Sequence, residues 1–195
     1  MLNTNGFKII LASGSPRRKA FFEQMELPFK VKVIPVDEDY PLGLNGVEIA
    51  KHIVHQKADA FISNVKEKQL IITADTIVWH NNQSLGKPKN NVQAKNMLMT
   101  LSNDSHEVIT AVGFLQKDSW ELIYEVSRVS FGEINDLEIE NYIKTGSPFD
   151  KAGAYGIQDS FGIKNITSIH GSYSNIIGLP VPQVLKKIKE IISKN

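Results

Sequence analysis

The chain has 195 residues, 42% hydrophobic and 22% charged, with a formal net charge of +1 and no cysteine. This length supports one domain, or two small lobes without a linker, around a real core. The near-neutral balance argues against an extended nucleic-acid footprint, and the absence of thiols excludes disulfides, thiolate nucleophiles and cysteine-ligated zinc. Asn3, Thr4 and Asn5 interrupt any apolar leader, and no apolar run nears the roughly 20 residues that span a bilayer, so a cytoplasmic protein without membrane partners is expected.

The first ordered stretch is Ile9–Met25, IILASGSPRRKAFFEQM. An apolar run that starts at Phe7 and is broken only by Lys8 predicts a buried strand. It gives way to Ala12-Ser13-Gly14-Ser15, and Ser15 followed by Pro16 is a helix start: a side-chain cap, then a residue whose missing N–H costs nothing there. Phe21 and Met25, four apart, with Ala20 predict the buried face of that helix. Strand, turn and helix would leave free amides, the hydroxyls of Ser13 and Ser15, and the cations Arg17 and Arg18 at one point. That combination suits an anion, phosphate above all. The plainer reading is a capped helix with two solvated arginines, although arginine in a first turn opposes the helix dipole.

Pro28–Ile34 alternates Phe29, Val31 and Val33 with lysines and predicts a strand with one wet face. The acidic run Asp37-Glu38-Asp39 follows; such a run is either a solvated loop or a hold for a divalent cation. Val47–Asn64 predicts a long helix with Ile49, Ile53 and Ala60 on its apolar face. His52 and His55 lack a third ligand and are expected at the surface rather than on zinc. Leu70–Val78, LIITADTIV, predicts a central strand buried on both faces. Asp75 and Thr76 interrupt it, and a carboxylate there is costly unless paired or metal-bound; function is favoured over a structural hydrogen bond at a strand end. His80–Gln83 predicts a hairpin turn, and Lys87 sits in a loop between glycine and proline.

Asn91–Leu101 predicts a helix with Ala94, Met97, Leu98 and Leu101 inward, and Val108–Leu115 and Leu122–Phe131 predict two strands, the second without a clean amphipathic split. Asn135–Glu138 resembles a capping box before Ile139, Tyr142 and Ile143, with Gly146 as the stop. In Ser147–Gln158, SPFDKAGAYGIQ, the small residues allow close backbone approach beside Lys151, or simply a flexible loop. Ile163–Ile169 predicts a short strand, and Pro180 precedes a last helix with Val184, Leu185, Ile188, Ile191 and Ile192 inward.

Cations, carboxylates and a glycine-containing loop together suit a magnesium–triphosphate substrate. With no Ser–His–Asp pattern and no cysteine, nothing supports acyl transfer.

The motifs LASGSPRR at Leu11–Arg18, VDE at Val36–Glu38, QKA at Gln56–Ala58, ADT at Ala74–Thr76, GKP at Gly86–Pro88, DKAGAYGIQ at Asp150–Gln158 and GLP at Gly178–Pro180 resemble the Maf family of nucleoside triphosphate pyrophosphatases. The resemblance spans about Ile10–Pro180. It implies an α/β fold with a long, mixed, twisted sheet flanked by helices, two lobes with a central cleft, and often a homodimer. It implies hydrolysis of a nucleoside triphosphate to the monophosphate and pyrophosphate with Mg²⁺ or Mn²⁺. It makes Asp75 the general base and places Ser13, Arg18, Glu38, Lys57, Lys87 and Gln158 in the active site. On this reading Glu38 with Asp75 holds the metal, Arg18, Lys57 and Lys87 neutralise phosphate, and Ser13, Ser15 and Lys151 add substrate contacts.

Arg17, Thr76 and Gln158 resemble the branch that acts on dTTP and UTP, and a glutamine amide complements the O4/N3–H edge of uracil and thymine. Ser147 and Asp159-Ser160 depart from the family pattern, where many relatives carry Glu before the proline and small residues after the glutamine. Two other classes compete. A nucleotide-binding regulator of cell division with little hydrolysis has no need of a water-activating Asp75. A nucleic-acid binder lacks a basic–aromatic surface pattern.

Overall fold

Alternation along two strands settles the layering of the first half of the chain. In the computed structural model, which describes residues 4–194, β1 (Lys8–Leu11) lies between β2 (Phe29–Val31) and β3 (Gln69–His80), parallel to both. Ile9 and Leu11 join Leu70, Ile72 and Ala74 in one apolar cluster, while Ile10 and Ala12 join Ile71 in another. Both faces are covered, as expected for parallel strands. Phe22 of α1 (Pro16–Gln24) and Val184, Ile188, Ile191 and Ile192 of α7 (Val181–Lys194) close the first cluster, and Ala58 of α2 (Gly46–Asp59) helps close the second. The α7 positions fall at i, i+4, i+7 and i+8, the stripe of an amphipathic helix.

The remaining strands are β4 (Gln83–Leu85), β5 (Ser105–Leu115), β6 (Trp120–Phe131) and β7 (Ile166–His170). The sheet order is β2-β1-β3-β5-β6-β7, with β4 bonded to β3; β3/β4 and β6/β7 are antiparallel, so the sheet is mixed. The β3–β4 hairpin turns on Asn81 and Asn82, both at positive φ (47° and 59°), with His80 paired to Gln83. Two consecutive left-handed residues make the turn that fits strand twist, and asparagine tolerates it.

The chain forms two compact units. One comprises the chain up to Asp75, Thr110–Glu125 and the chain from Gly178; the other comprises Thr76–Ile109 and Val126–Ile177. β3 passes from one to the other between Asp75 and Thr76. The second unit has its own core, built from Ala94, Leu98 and Leu101 of α3 (Asn91–Leu101), Ile139, Tyr142 and Ile143 of α4 (Asp136–Lys144), Val129 and Phe131 of β6, Tyr155, and Phe161 of α5 (Ser160–Asn165). Among the described residues no helix is long and apolar enough to cross a membrane.

Several expectations change. The strand over Pro28–Ile34 shrinks to the three residues of β2, and Val31 and Val33 are 45% and 52% exposed, because this edge strand pairs only with β1. In α1 the fully buried ring is Phe22, stacked obliquely on Phe29, with Phe21 and Met25 half-buried. The helix expected over Val47–Asn64 ends at Asp59, buries Ala58 rather than Ala60, and starts from a full capping box of Asn45 and Glu48. At Asn135 only half of that device forms: Glu138 reaches the Asn135 side chain. In β6, Tyr124, Val126 and Arg128 are exposed while Ser127, Val129 and Phe131 are buried, so its outer half alternates after all. Ile163–Ile169 is not one strand: Ile163 belongs to α5 and is 71% exposed, and β7 begins at Ile166.

The second unit also buries histidine. His106 of β5 is 2% exposed, stacks on Phe131 and shares a 2.6 Å hydrogen bond from Nε2 to Tyr155 Oη. Burial, then neighbouring His80, lower its pKa to about 4 against the pull of Asp104. A folded pKa below the unfolded one lets the unfolded chain bind the proton first as pH falls. His106 therefore stabilises the fold above its ordinary value of 6.5, and this is lost progressively from there toward pH 4. Denaturant melts at stepped pH should show about 3 kcal/mol disappearing over that window, with a flatter profile for His106→Gln; equal slopes would contradict this.

Candidate active site

The site begins at the turn after β1. Ser15 caps α1, its Oγ accepting from the Arg18 amide at 3.4 Å, and Pro16 opens the helix. Arg18 therefore stands in the first turn, the wrong end of the dipole for a cation. Its partners explain it: Nε donates to the Gly178 carbonyl at 2.9 Å and Nη1 to Ser13 Oγ at 3.2 Å. Ser13 is itself buried, and its Oγ also accepts from the Ser15 amide at 3.3 Å. The guanidinium is folded back and pinned by the segment that precedes α7.

β3 presents Ile71, Thr73 and Asp75 to α2. Ile71 packs with Ala58, Thr73 Oγ1 donates to the Val54 carbonyl at 3.1 Å, and Lys57 Nζ donates to Asp75 Oδ1 at 2.7 Å. A period of two on the strand meets positions 54, 57 and 58 on one helix face. Lys57 Nζ also lies 2.8 Å from Glu38 Oε1, and Gln56 Nε2 ties down the acidic loop by donating to the Asp39 carbonyl at 3.0 Å. Glu38, in the loop, is 55% exposed at its side chain, against 12% for Asp75 and 16% for Lys57.

The electrostatics follow from that burial. Burial raises the Asp75 pKa above the ordinary carboxylate value; Lys57 and Arg18 pull it down without cancelling the rise, and Glu38 adds to it. Burial likewise lowers the Arg18 pKa, opposed by Asp75. A buried, proton-avid carboxylate between two cations is suited to polarising water. Two carboxylates that meet at one ammonium also suit Mg²⁺, which takes one or two protein carboxylates and fills its remaining positions with phosphate oxygens and water. Among the described residues no group of three or more His, Asp or Glu side chains converges as an all-protein metal cage.

The other expected site residues belong to the second unit, save Arg17, which is half-buried in α1. Thr76 follows Asp75 in β3. Lys87 is exposed after β4, and the carbonyl of its neighbour Gly86 accepts from the Gly153 amide at 3.1 Å. The segment from Ser147 is not a loose loop: Ser147–Asp150 forms a 3₁₀ turn, and Ala152–Ala154 is a tight turn with Gly153 and Ala154 at positive φ (70° and 62°). Lys151 is only 13% exposed at its side chain, and its three N–H donors are met locally: the Ser147 carbonyl at 2.7 Å, Ser147 Oγ at 3.0 Å and Asp150 Oδ1 at 2.6 Å. Gln158 is exposed. His52 is half-buried, and His55 is exposed beside Asp59 at 3.0 Å, as surface histidines should be.

Gln56 and Gly178 lie in the QKA and GLP motifs, which gave no hint of what they do: one ties down the acidic loop and the other offers its carbonyl to Arg18. Thr73 was missed outright, although it stands two residues before Asp75 on the same strand face.

Residues 8–191 match the family described as Maf-like protein. The chain belongs to the Maf family. A Flavobacterium johnsoniae protein named dTTP/UTP pyrophosphatase is 45% identical to this Maf chain, covering 95% of it and 96% of the relative. Proteins of the same name from Flavobacterium psychrophilum and Bacteroides fragilis are 46% and 41% identical, covering 91% and 98% of this chain and 91% and 100% of their own lengths. A solved structure of the Staphylococcus aureus Ham1 protein is a remote likeness, with 13% identity and a TM-score of 0.44 over 64% of this chain and 71% of that one.

Proposed function

We propose that the protein hydrolyses dTTP and UTP to the monophosphate and pyrophosphate. The observation that carries this reading is Asp75: a buried carboxylate, raised in pKa, held by Lys57 and facing Arg18, in a Maf chain whose relatives bear that activity in their names.

Asp75 accepts a proton from water as the water oxygen bonds to the α-phosphorus. The bond from that phosphorus to the bridging oxygen breaks, and pyrophosphate leaves with the electron pair. Arg18, Lys57 and Lys87 neutralise the charge that builds on the phosphate oxygens, and the α1 amides with Ser13 and Ser15 add directional donors. Glu38 and Asp75 would hold Mg²⁺ or Mn²⁺, which when bound screens the triphosphate and stabilises the leaving group. Gln158 takes the base: its amide oxygen accepts from N3–H and its amide nitrogen donates to O4, a pairing that the cytosine edge reverses. Arg17 and Thr76 assist in binding, and Lys151 contributes by bracing its loop.

A pyrophosphate-release screen with Mg²⁺ or Mn²⁺ over the common nucleoside triphosphates tests the reading. Selective cleavage of dTTP and UTP is expected. Preference for CTP or 7-methyl-GTP would refute the base assignment, and no cleavage by folded, metal-loaded protein would refute the activity.

A further inference from the structure

Gln158 stands in a turn whose ends are tied together, the Asp159 amide donating to the Gly156 carbonyl at 3.1 Å. Asp159 occupies the N-cap position of α5 with the backbone of such a residue (φ −75°, ψ 155°), yet its side chain makes no cap hydrogen bond. An Asp at that position ordinarily accepts from the free amides of the helix it opens. Here Oδ2 accepts instead from Tyr142 Oη at 2.5 Å and from Ser147 Oγ at 2.7 Å, and it lies 3.5 Å from Lys151 Nζ. Tyr142 Oη in turn accepts from the Gly156 amide at 3.2 Å.

One carboxylate thus grips both ends of the turn, at its own residue and, through Tyr142, at Gly156. There is no slack around it. A Cβ on Gly156 would lie 2.8 Å from Lys151 Cε and 2.9 Å from Asp159 Cγ, and one on Gly162 would lie 2.3 Å from the Gly156 carbonyl oxygen. The Tyr142 ring is stacked on Phe161 at 4.4 Å, so the tyrosine cannot swing to follow a loosened turn. Burial pushes the Asp159 pKa up, but the donors Tyr142 and Ser147 and the nearby charge of Lys151 outweigh it and hold the carboxyl ionised below its ordinary range.

We infer that Asp159 is the positioning residue for Gln158, and that selectivity among bases depends on Asp159 through its links to Tyr142, Ser147 and Lys151. The inference rests on the reading of Gln158 as the group that meets the base edge. A cap exchanged for contacts that serve only stability would weaken all substrates alike. A clamp on Gln158 affects the uracil edge first.

The test compares kcat/KM for UTP and CTP in the parent, Gln158→Ala, Asp159→Ala and the double variant. Asp159→Ala is expected to lower the UTP:CTP ratio about tenfold, chiefly by raising KM for UTP, and the double variant should fall no further than Gln158→Ala alone. A ratio changed by Gln158→Ala but not by Asp159→Ala, or additive losses in the double variant, would overturn the inference while leaving the base reading intact. An unchanged ratio in Gln158→Ala would overturn both. Should Asp159→Ala not fold, Asp159→Asn keeps an acceptor for Tyr142 and Ser147 but withdraws the charge from Lys151. A smaller fall in the ratio is then expected, and an unchanged ratio overturns the inference.

Discussion

Replacing Asp75 by Asn is expected to lower kcat by about a hundred- to ten-thousandfold while leaving the fold intact, the range over which a positioned general base acts. The side chain is nearly isosteric, so Lys57 and Arg18 keep a polar neighbour, but no group remains to take the water proton. Stability responds in the opposite direction to activity. With the Asp75 pKa raised by burial, the folded protein holds this proton at pH values where the unfolded chain has released it. Stability therefore falls as pH rises from the ordinary carboxylate value through the raised one, and above both the penalty is constant. Asn mimics the neutral carboxyl and carries no such penalty. Thermal melts at pH 7 should give Asp75→Asn a Tm no lower than that of the parent. In the metal-free protein the same shift should place the titration of Asp75 above the ordinary carboxylate pKa of about 4. A folded Asp75→Asn protein with near-normal turnover would end the assignment.

Lys57→Met carries the second large effect, on stability and activity together. The methionine fills a similar volume without charge, and it leaves Asp75 buried with its nearest cation gone. Breaking a buried pair by removing one partner costs about 3 kcal/mol or more, because the abandoned charge has lost its water as well. The Glu38 contact adds little to that figure, since Glu38 is more than half exposed and solvent screens it. The Asp75 carboxyl should rise further, so the acidic limb of the kcat/KM profile should move to higher pH than in the parent. Denaturant titration with the pH profile checks both effects. A midpoint and an acidic limb that both match the parent would show that the 2.7 Å contact does not govern Asp75.

Local chemistry made much of this legible. Ser15 before Pro16 marks a helix start whatever surrounds it, Asn81-Asn82 permits the left-handed pair that a tight hairpin needs, and Asn91–Leu101 forms a helix with those same ends. Asp75 stands out because an ionisable group in an apolar run demands a reason, and the pairing with Lys57 supplies it.

What escaped the sequence was decided by distant or compact contacts. Arg18 finds the Gly178 carbonyl 160 positions away, and no local pattern announces that bond. Ile163, Ile166 and Ile169, three apart, fit a short helix followed by a strand as well as they fit one strand, and six residues are too few for periodicity to choose. The alternation of Val31 and Val33 promised a buried face, but burial needs a covering element, which the edge of the sheet does not provide there. Lys151 finds Ser147 and Asp150 within one tight turn, contacts that the small residues around it do not announce.

Hydrolysis of UTP in ¹⁸O-labelled water tests the central claim most directly, because the label follows the phosphorus that water attacks. One labelled oxygen is expected in the uridine monophosphate and none in the pyrophosphate, with loss of both products in Asp75→Asn. Label recovered in pyrophosphate would place the attack on the β-phosphorus and rule out attack at the α-phosphorus.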